Sequence, residues 1–106
     1  MTYHEMMKNG RLLMDKHGLT DWVLDIQNLR NTDLYRGEVD GCLGTCRLSE
    51  KRILIHFSIG RRFRQTLLHE IAHALRGESG HDQKWIDIAE RIGCTVTHLL
   101  PYAWKL

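Results

Sequence analysis

The sequence predicts an α+β fold, because helical and strand-like apolar patterns occupy separate segments of the chain. Residues 62 to 75 repeat apolar side chains at helical spacing, and Gly77 follows where such a helix should end. Residues 52 to 57 form a short run of isoleucine, leucine and phenylalanine that is typical of a strand. The length of 106 residues predicts a single domain over residues 1–106.

The remaining elements follow from the same periodicities. An amphipathic N-terminal helix is predicted over residues 2 to 17, where five apolar side chains stand among polar ones at compatible spacings: Met6, Met7, Leu12, Leu13 and Met14. Three further elements are predicted: a strand over 21 to 29, a strand over 42 to 48 that pairs antiparallel with 52 to 57, and a helix over 82 to 92. Asp82 is the expected N-cap of that last helix, and Trp85 lies on its buried face.

Composition favours an ordinary globular protein of a reducing compartment. Charged residues make up 26% of the chain and its formal net charge is +2. No apolar stretch has the length of a membrane span, and the N-terminus lacks the apolar core of a signal peptide, so we expect a cytoplasmic protein without a membrane partner. The three cysteines argue against a disulfide framework, and we expect Cys42 and Cys46 to be free or buried thiols.

Basic residues concentrate in one part of the sequence. Between residues 47 and 64 they are opposed only by Glu50, and they comprise Arg47, Lys51, Arg52, Arg61, Arg62 and Arg64. Two interpretations stay open: a solvated basic face, or a patch that contacts DNA phosphates.

The segment HEIAH, residues 69 to 73, is an HExxH motif within the predicted helix. Residues four apart lie one turn apart on the same helix face, so His69 and His73 can bind one zinc ion. Glu70 projects beside that face, where it can act as the general base that takes a proton from the attacking water.

A catalytic zinc site needs a third protein ligand, and His81 is the favoured candidate. On a continuous helix His81 would lie about 18 Å from His69 along the axis, so the chain must turn back. Gly77 and Gly80 can provide that turn. The alternative third ligands are Glu78, Asp82 and His98.

The spacing of the histidines separates two groups of metallopeptidases. In metzincins the third histidine stands ten residues after the first, and here that position is Ser79. HEIAHAL, a glycine-containing turn and GHDQKW instead resemble the SprT-like metallopeptidase family, to which the Spartan proteases belong. The chain is most similar to the compact bacterial and phage members without the C-terminal zinc ribbon, and Asp82 stands where the family often has glycine.

The resemblance implies a minimal zincin-like domain with a small, three-stranded, mostly antiparallel sheet between the N-terminal helix and the HExxH helix. It also implies one Zn²⁺ per chain, with His69, His73 and His81 as metal ligands and Glu70 as the catalytic residue. The strand at 52 to 57 would bind extended substrate by edge pairing. Three candidates remain for stabilising the oxyanion: Arg76, His98 and Tyr102.

The function that the resemblance implies is a zinc-dependent metalloprotease acting on protein substrates, with DNA-associated proteins or DNA–protein crosslinks as the expected class. One alternative is a zinc-binding adaptor or regulatory module without significant turnover. Another is a zinc hydrolase of a non-protein substrate, or a DNA-binding module in which HExxH is accidental.

Overall fold

The computed structural model describes residues 2–27, 44–56, 62–78 and 80–95. Its elements in chain order are helix α1 (Tyr3–Lys16), strands β1 (Val23–Gln27), β2 (Gly44–Arg47) and β3 (Arg52–His56), and helices α2 (Phe63–Arg76) and α3 (Gln83–Arg91). The predicted α+β class is confirmed. None of the helices in these ranges is long and apolar enough to cross a membrane.

Local sequence signals explain where the helices begin and end. At the start of α1, the Thr2 hydroxyl accepts from the backbone N–H of Glu5, and the Glu5 carboxylate accepts from the N–H of Thr2. Asp82 caps α3 by accepting from the N–H of Trp85 at 2.9 Å, as the sequence predicts. Gly77 ends α2 in the left-handed region, with φ of 79°.

The three strands form one mixed sheet in the order β1-β3-β2. β2 pairs antiparallel with β3, as predicted, through a short 3₁₀ turn at Leu48–Glu50. β1 pairs parallel with β3, with Leu24 opposite Ile53 and Ile26 opposite Ile55. The prediction of a mostly antiparallel sheet therefore describes one of the two pairings, because β1 and β3 are joined by a crossover and not by a hairpin.

The position of β3 corrects one functional expectation. β3 lies between β1 and β2 and is hydrogen-bonded on both sides over Arg52–His56. Its backbone groups are therefore already paired and cannot also bind an extended substrate. Among the described residues, β2 is an edge strand and lies against α2.

The core lies where α1 and α2 cover one face of the sheet. Gly10 lies at the closest approach, since a Cβ at this position would come 2.5 Å from Leu24 Cδ2 and 2.9 Å from Phe63 Cζ. A glycine that weakens the helix pattern in the sequence thus allows α1 to reach the sheet. Of the apolar side chains of α1, Met6, Leu13 and Met14 are buried, whereas Leu12 is 61% exposed.

Candidate metal centre

Helix α2 carries the motif histidines in a largely buried setting. Its apolar side is fully enclosed and comprises Leu67, Leu68, Ile71 and Ala72, each 0% exposed. His73 is 6% exposed and Glu70 is 7% exposed, although both side chains are polar. A helix packed in this way holds the two histidines and the glutamate on a rigid element.

The chain reverses after α2 and returns a third histidine to the first two. Gly77 provides the reversal through its left-handed backbone conformation. Gly80 was also expected to contribute, and a Cβ at its position would meet no atom within 4 Å. His81 then lies directly before the N-cap of α3.

The three imidazoles converge on one point. His81 Nε2 lies 2.9 Å from His73 Nε2 and 3.2 Å from His69 Nε2. One ligand atom from each ring lies within 4.8 Å of the others, so the cluster can hold a metal ion. Two tetrahedral zinc ligands at bond lengths of about 2.0 to 2.1 Å would have nitrogens about 3.3 to 3.4 Å apart, so the two distances from His81 differ from zinc geometry by only a few tenths of an ångström.

The electrostatic environment keeps these imidazoles neutral. Burial, with the neighbouring His73 and His81, lowers the pKa of His69 to about 3. Burial, with His73, lowers the pKa of His81 to about 4. Burial also lowers the pKa of His73. Neutral imidazole is the form that binds a metal, so all three rings are ready to act as ligands at neutral pH.

A hydrogen bond sets the orientation of one of these rings. The carbonyl oxygen of Glu78 lies 3.2 Å from His73 Nδ1, and a carbonyl can only accept. His73 therefore carries its proton on Nδ1 and turns the lone pair of Nε2 toward the cluster. Partners of this kind fix the tautomer of metal-binding histidines.

Trp85 packs against the whole cluster. Its side chain is 0% exposed, and its ring centroid lies 4.8 Å from that of His69, 5.3 Å from His73 and 4.8 Å from His81. The sequence predicts a buried tryptophan on α3, and its contact with all three rings adds a role in shaping the site. These edge-to-face and tilted contacts limit the movement of the imidazoles.

Glu78 and Asp82, the nearby alternative ligands, are engaged elsewhere. Arg76 Nη2 lies 2.7 Å from Asp82 Oδ2 and 3.2 Å from Glu78 Oε2, and Arg76 Nε donates to both oxygens of Asp82. The bond from Arg76, with that from the backbone of Trp85, lowers the pKa of Asp82 to about 2. These pairings favour His81 as the third ligand.

The same contacts remove Arg76 as an oxyanion-stabilising candidate in this structure, because its guanidinium is directed at carboxylates. His98 and Tyr102, the two other candidates, lie outside the described residues. The pairing of Arg76 was missed in the sequence. An arginine that precedes a glycine turn with acidic residues on both sides of a histidine is the signal that could have indicated it.

Strand β2 lies close to Glu70, the candidate general base. A Cβ on Gly44 would come 3.0 Å from Thr66 Cγ2 and 3.4 Å from Glu70 Cγ. Cys46 lies on the same strand, and burial together with the charge of Glu70 raises the pKa of its thiol to about 12. Cys46 therefore stays protonated and is a poor metal ligand, whereas Cys42 lies outside the described residues.

The structure divides the basic stretch into two parts. Arg47, Lys51 and Arg52 are paired with carboxylates of Glu50, Asp21 and Asp25, the shortest of these contacts being 2.7 Å from Lys51 Nζ to Asp21 Oδ2. Arg62 and Arg64 are exposed at the start of α2, where the described residues offer them no ion pair. Arg61 lies outside the described residues. A phosphate-contacting surface would therefore depend on the second part.

Comparison with known proteins identifies the family. The model of the SprT-like family matches residues 27–103, which is more than half of the chain and includes the whole histidine cluster. Searches of curated proteins and of solved structures gave no significant match. The family is one of metallopeptidase-like domains, in agreement with a cluster of three histidines around an HExxH helix. The chain therefore belongs to the SprT-like family.

Proposed function

We propose that the protein is a zinc-dependent metalloendopeptidase that hydrolyses peptide bonds of protein substrates. The observation that carries the proposal is the convergence of three imidazoles, two of which lie on the helix that also carries the buried Glu70. Imidazole donors suit zinc, and three protein ligands leave a fourth coordination position open. Zinc held by His69, His73 and His81 would polarise a carbonyl and make water a stronger acid.

Glu70 is the residue that transfers the proton in this proposal. It follows His69 directly on α2 and is only 7% exposed, so its side chain is largely shielded from water. From this position Glu70 accepts a proton from the attacking water and later delivers it to the leaving amine. Protonating the amine is required because an amide nitrogen leaves only as a neutral group.

An extended substrate fits best along β2, and not along β3 as the sequence suggested. β2 is an edge strand among the described residues, and its Gly44 lies against α2 beside Glu70. A peptide that paired with the outer edge of β2 would add to the strand that contacts α2 beside Glu70. Such pairing uses backbone groups, so it gives affinity with little preference for sequence.

The test of the proposal is to compare Glu70→Gln with wild type in zinc content and in cleavage of an unfolded protein such as casein. Wild type should contain about one zinc per chain and cleave casein. Glu70→Gln should keep the zinc and lose cleavage by at least about 100-fold, the usual contribution of a general base. Glu90→Gln on the exposed side of α3 is the matched control and should behave as wild type.

Two results would contradict the proposal. Full activity in Glu70→Gln would remove the general-base role. Wild type that binds zinc without cleaving any protein would favour the alternative function, a zinc-binding adaptor or regulatory module.

For the substrate class we propose DNA-associated proteins, with Arg62 and Arg64 as the residues that contact phosphate. Both arginines are exposed and form no ion pair with any described residue, which supports their assignment, whereas Lys51 is paired with Asp21. Neutralising both arginines should weaken binding of a single-stranded oligonucleotide. The slope of log binding constant against log salt concentration should become shallower by up to about two units. Lys51→Ala is the control. Equal effects in both variants, or no binding at low salt, would remove DNA from the proposal.

A further inference from the structure

One guanidinium connects both ends of the turn that carries the third histidine. Arg76 lies in the last turn of α2, and its side chain is 18% exposed. It contacts Glu78 two residues after itself and grips Asp82 through both Nε and Nη2. The segment between these two carboxylates contains His81.

Both ends of this segment are linked to the histidine cluster. The residue that supplies one carboxylate, Glu78, also supplies the carbonyl that accepts from His73 Nδ1. The residue that supplies the other, Asp82, follows His81 directly and caps α3 at Trp85. Glu78 and Asp82 therefore connect Arg76 both to the ring of His73 and to the residue that follows His81.

We propose that Arg76 is a positioning residue for the metal centre, which fixes Glu78 and Asp82 against α2 and thereby holds His81 in ligand geometry. The inference rests on the proposed zinc site and extends it to a residue outside the ligand set. The segment includes Gly80 and follows Gly77, so its backbone has unusual freedom that must be restricted before His81 can bind. A planar guanidinium with two directed contacts to Asp82 restricts it better than a single point charge could.

The contribution should appear in metal binding more than in overall stability. Glu78 and Asp82 are 65% and 46% exposed, and solvent screens ion pairs of that kind. Breaking the contacts should leave the core packed, since the buried apolar residues of α2 and α3 are not involved. The third ligand would then be less well ordered in an otherwise intact protein.

The experiment measures zinc affinity by competition with a chelator, and the visible spectrum of the Co²⁺-loaded protein, in Arg76→Ala and Asp82→Ser. Serine retains an N-cap acceptor for α3 but removes the carboxylate, so it separates the capping role of Asp82 from its contact with Arg76. Each variant should bind zinc about 10-fold more weakly, which is the smaller loss typical when a residue that contacts a metal ligand is mutated. The Co²⁺ spectrum should also change. The double variant should lose no more than Arg76→Ala, which already removes the contact with Asp82.

Two further variants complete the design. Arg76→Lys should restore part of the affinity because it keeps the charge but not the planar fork. Arg91→Ala removes an exposed arginine of α3 and should match wild type in affinity and spectrum.

The possible failures are distinguishable. Affinity within twofold of wild type together with an unchanged Co²⁺ spectrum in both main variants would overturn the positioning role while leaving the zinc site intact. Losses in the two single variants that add in the double variant would also overturn it. Wild type that binds no zinc would overturn the proposed function and this inference together.

Discussion

The metal centre consists of two halves that are held in place by different physical means. His69 and His73 lie on a helix whose apolar side is completely enclosed, and His73 itself is 6% exposed. His81 lies on an irregular segment and is exposed, and its position depends on a glycine reversal and on the contacts of Arg76. The helical half is therefore set by packing, whereas the turn half is set by a few polar contacts.

This difference indicates which part of the metal centre tolerates substitution. Packing in the interior is dense and resists displacement of α2. Exposed ion pairs and a single left-handed residue constrain a segment with much less free energy. Substitutions that affect one half at a time should therefore have unequal effects.

The largest effect is expected from removing one ligand in each half. His69→Ala leaves His73 and His81, which lie on different elements, whereas His81→Ala leaves the preformed helical pair. Removing a residue that only hydrogen-bonds to a metal ligand typically costs about 10- to 100-fold in affinity. Both variants should lose more zinc affinity than this, and His69→Ala should lose the most. Zinc titration with a competing chelator measures the difference. A greater loss in His81→Ala would mean that the turn, and not the helix, dominates binding.

The same division explains how much of the molecule could be predicted from its sequence. The pair on α2 follows from helix geometry, because HExxH places both histidines on one face of a segment with clear apolar periodicity. Asp82 as the cap of α3 and Gly77 as the end of α2 follow from local preferences, and the structure confirms both.

Features that depend on how the chain folds back on itself were not predicted. The parallel pairing of β1 with β3 depends on a crossover, and periodicity does not specify strand order. Gly10 permits the close approach of Leu24 and Phe63 to α1, and helical periodicity does not indicate that contact. The pairing of Arg76 with Asp82 forms only after the chain has reversed. Local patterns thus indicated the helical half of the site in full and left open the contacts that fix the turn half.

A smaller effect should separate the two glycines of the turn. Gly77→Ala places a side chain in the left-handed region and should destabilise the protein by about 1 to 2 kcal/mol. A Cβ at Gly80 would meet no atom within 4 Å, so Gly80→Ala should be neutral or stabilise the protein by about 0.4 to 1 kcal/mol. Urea unfolding of the two variants and wild type measures both changes. Equal destabilisation would show that Gly80 also adopts a conformation that alanine cannot.

The smallest effect concerns the charge of Glu70 in the helical half, for which Cys46 on β2 serves as a reporter. Burial is the main cause that raises the pKa of this thiol to about 12, and the negative charge of Glu70 adds to it. Removing that charge in Glu70→Gln lowers the pKa and increases the thiolate fraction at any pH below it. Alkylation of Cys46 by iodoacetamide at pH 9, followed by mass spectrometry, should therefore be faster by less than about tenfold, since tenfold corresponds to one pKa unit.

The buried thiol of Cys94, which is 2% exposed, is the internal control in the same samples. Its alkylation rate should not change, because the effect expected at Cys46 comes from one nearby charge and not from a looser core. If both thiols react faster in Glu70→Gln, the substitution has loosened the packing of α2. The helical half would then depend on Glu70 for its stability, and the contrast with the turn half would be smaller than the buried surface of α2 indicates.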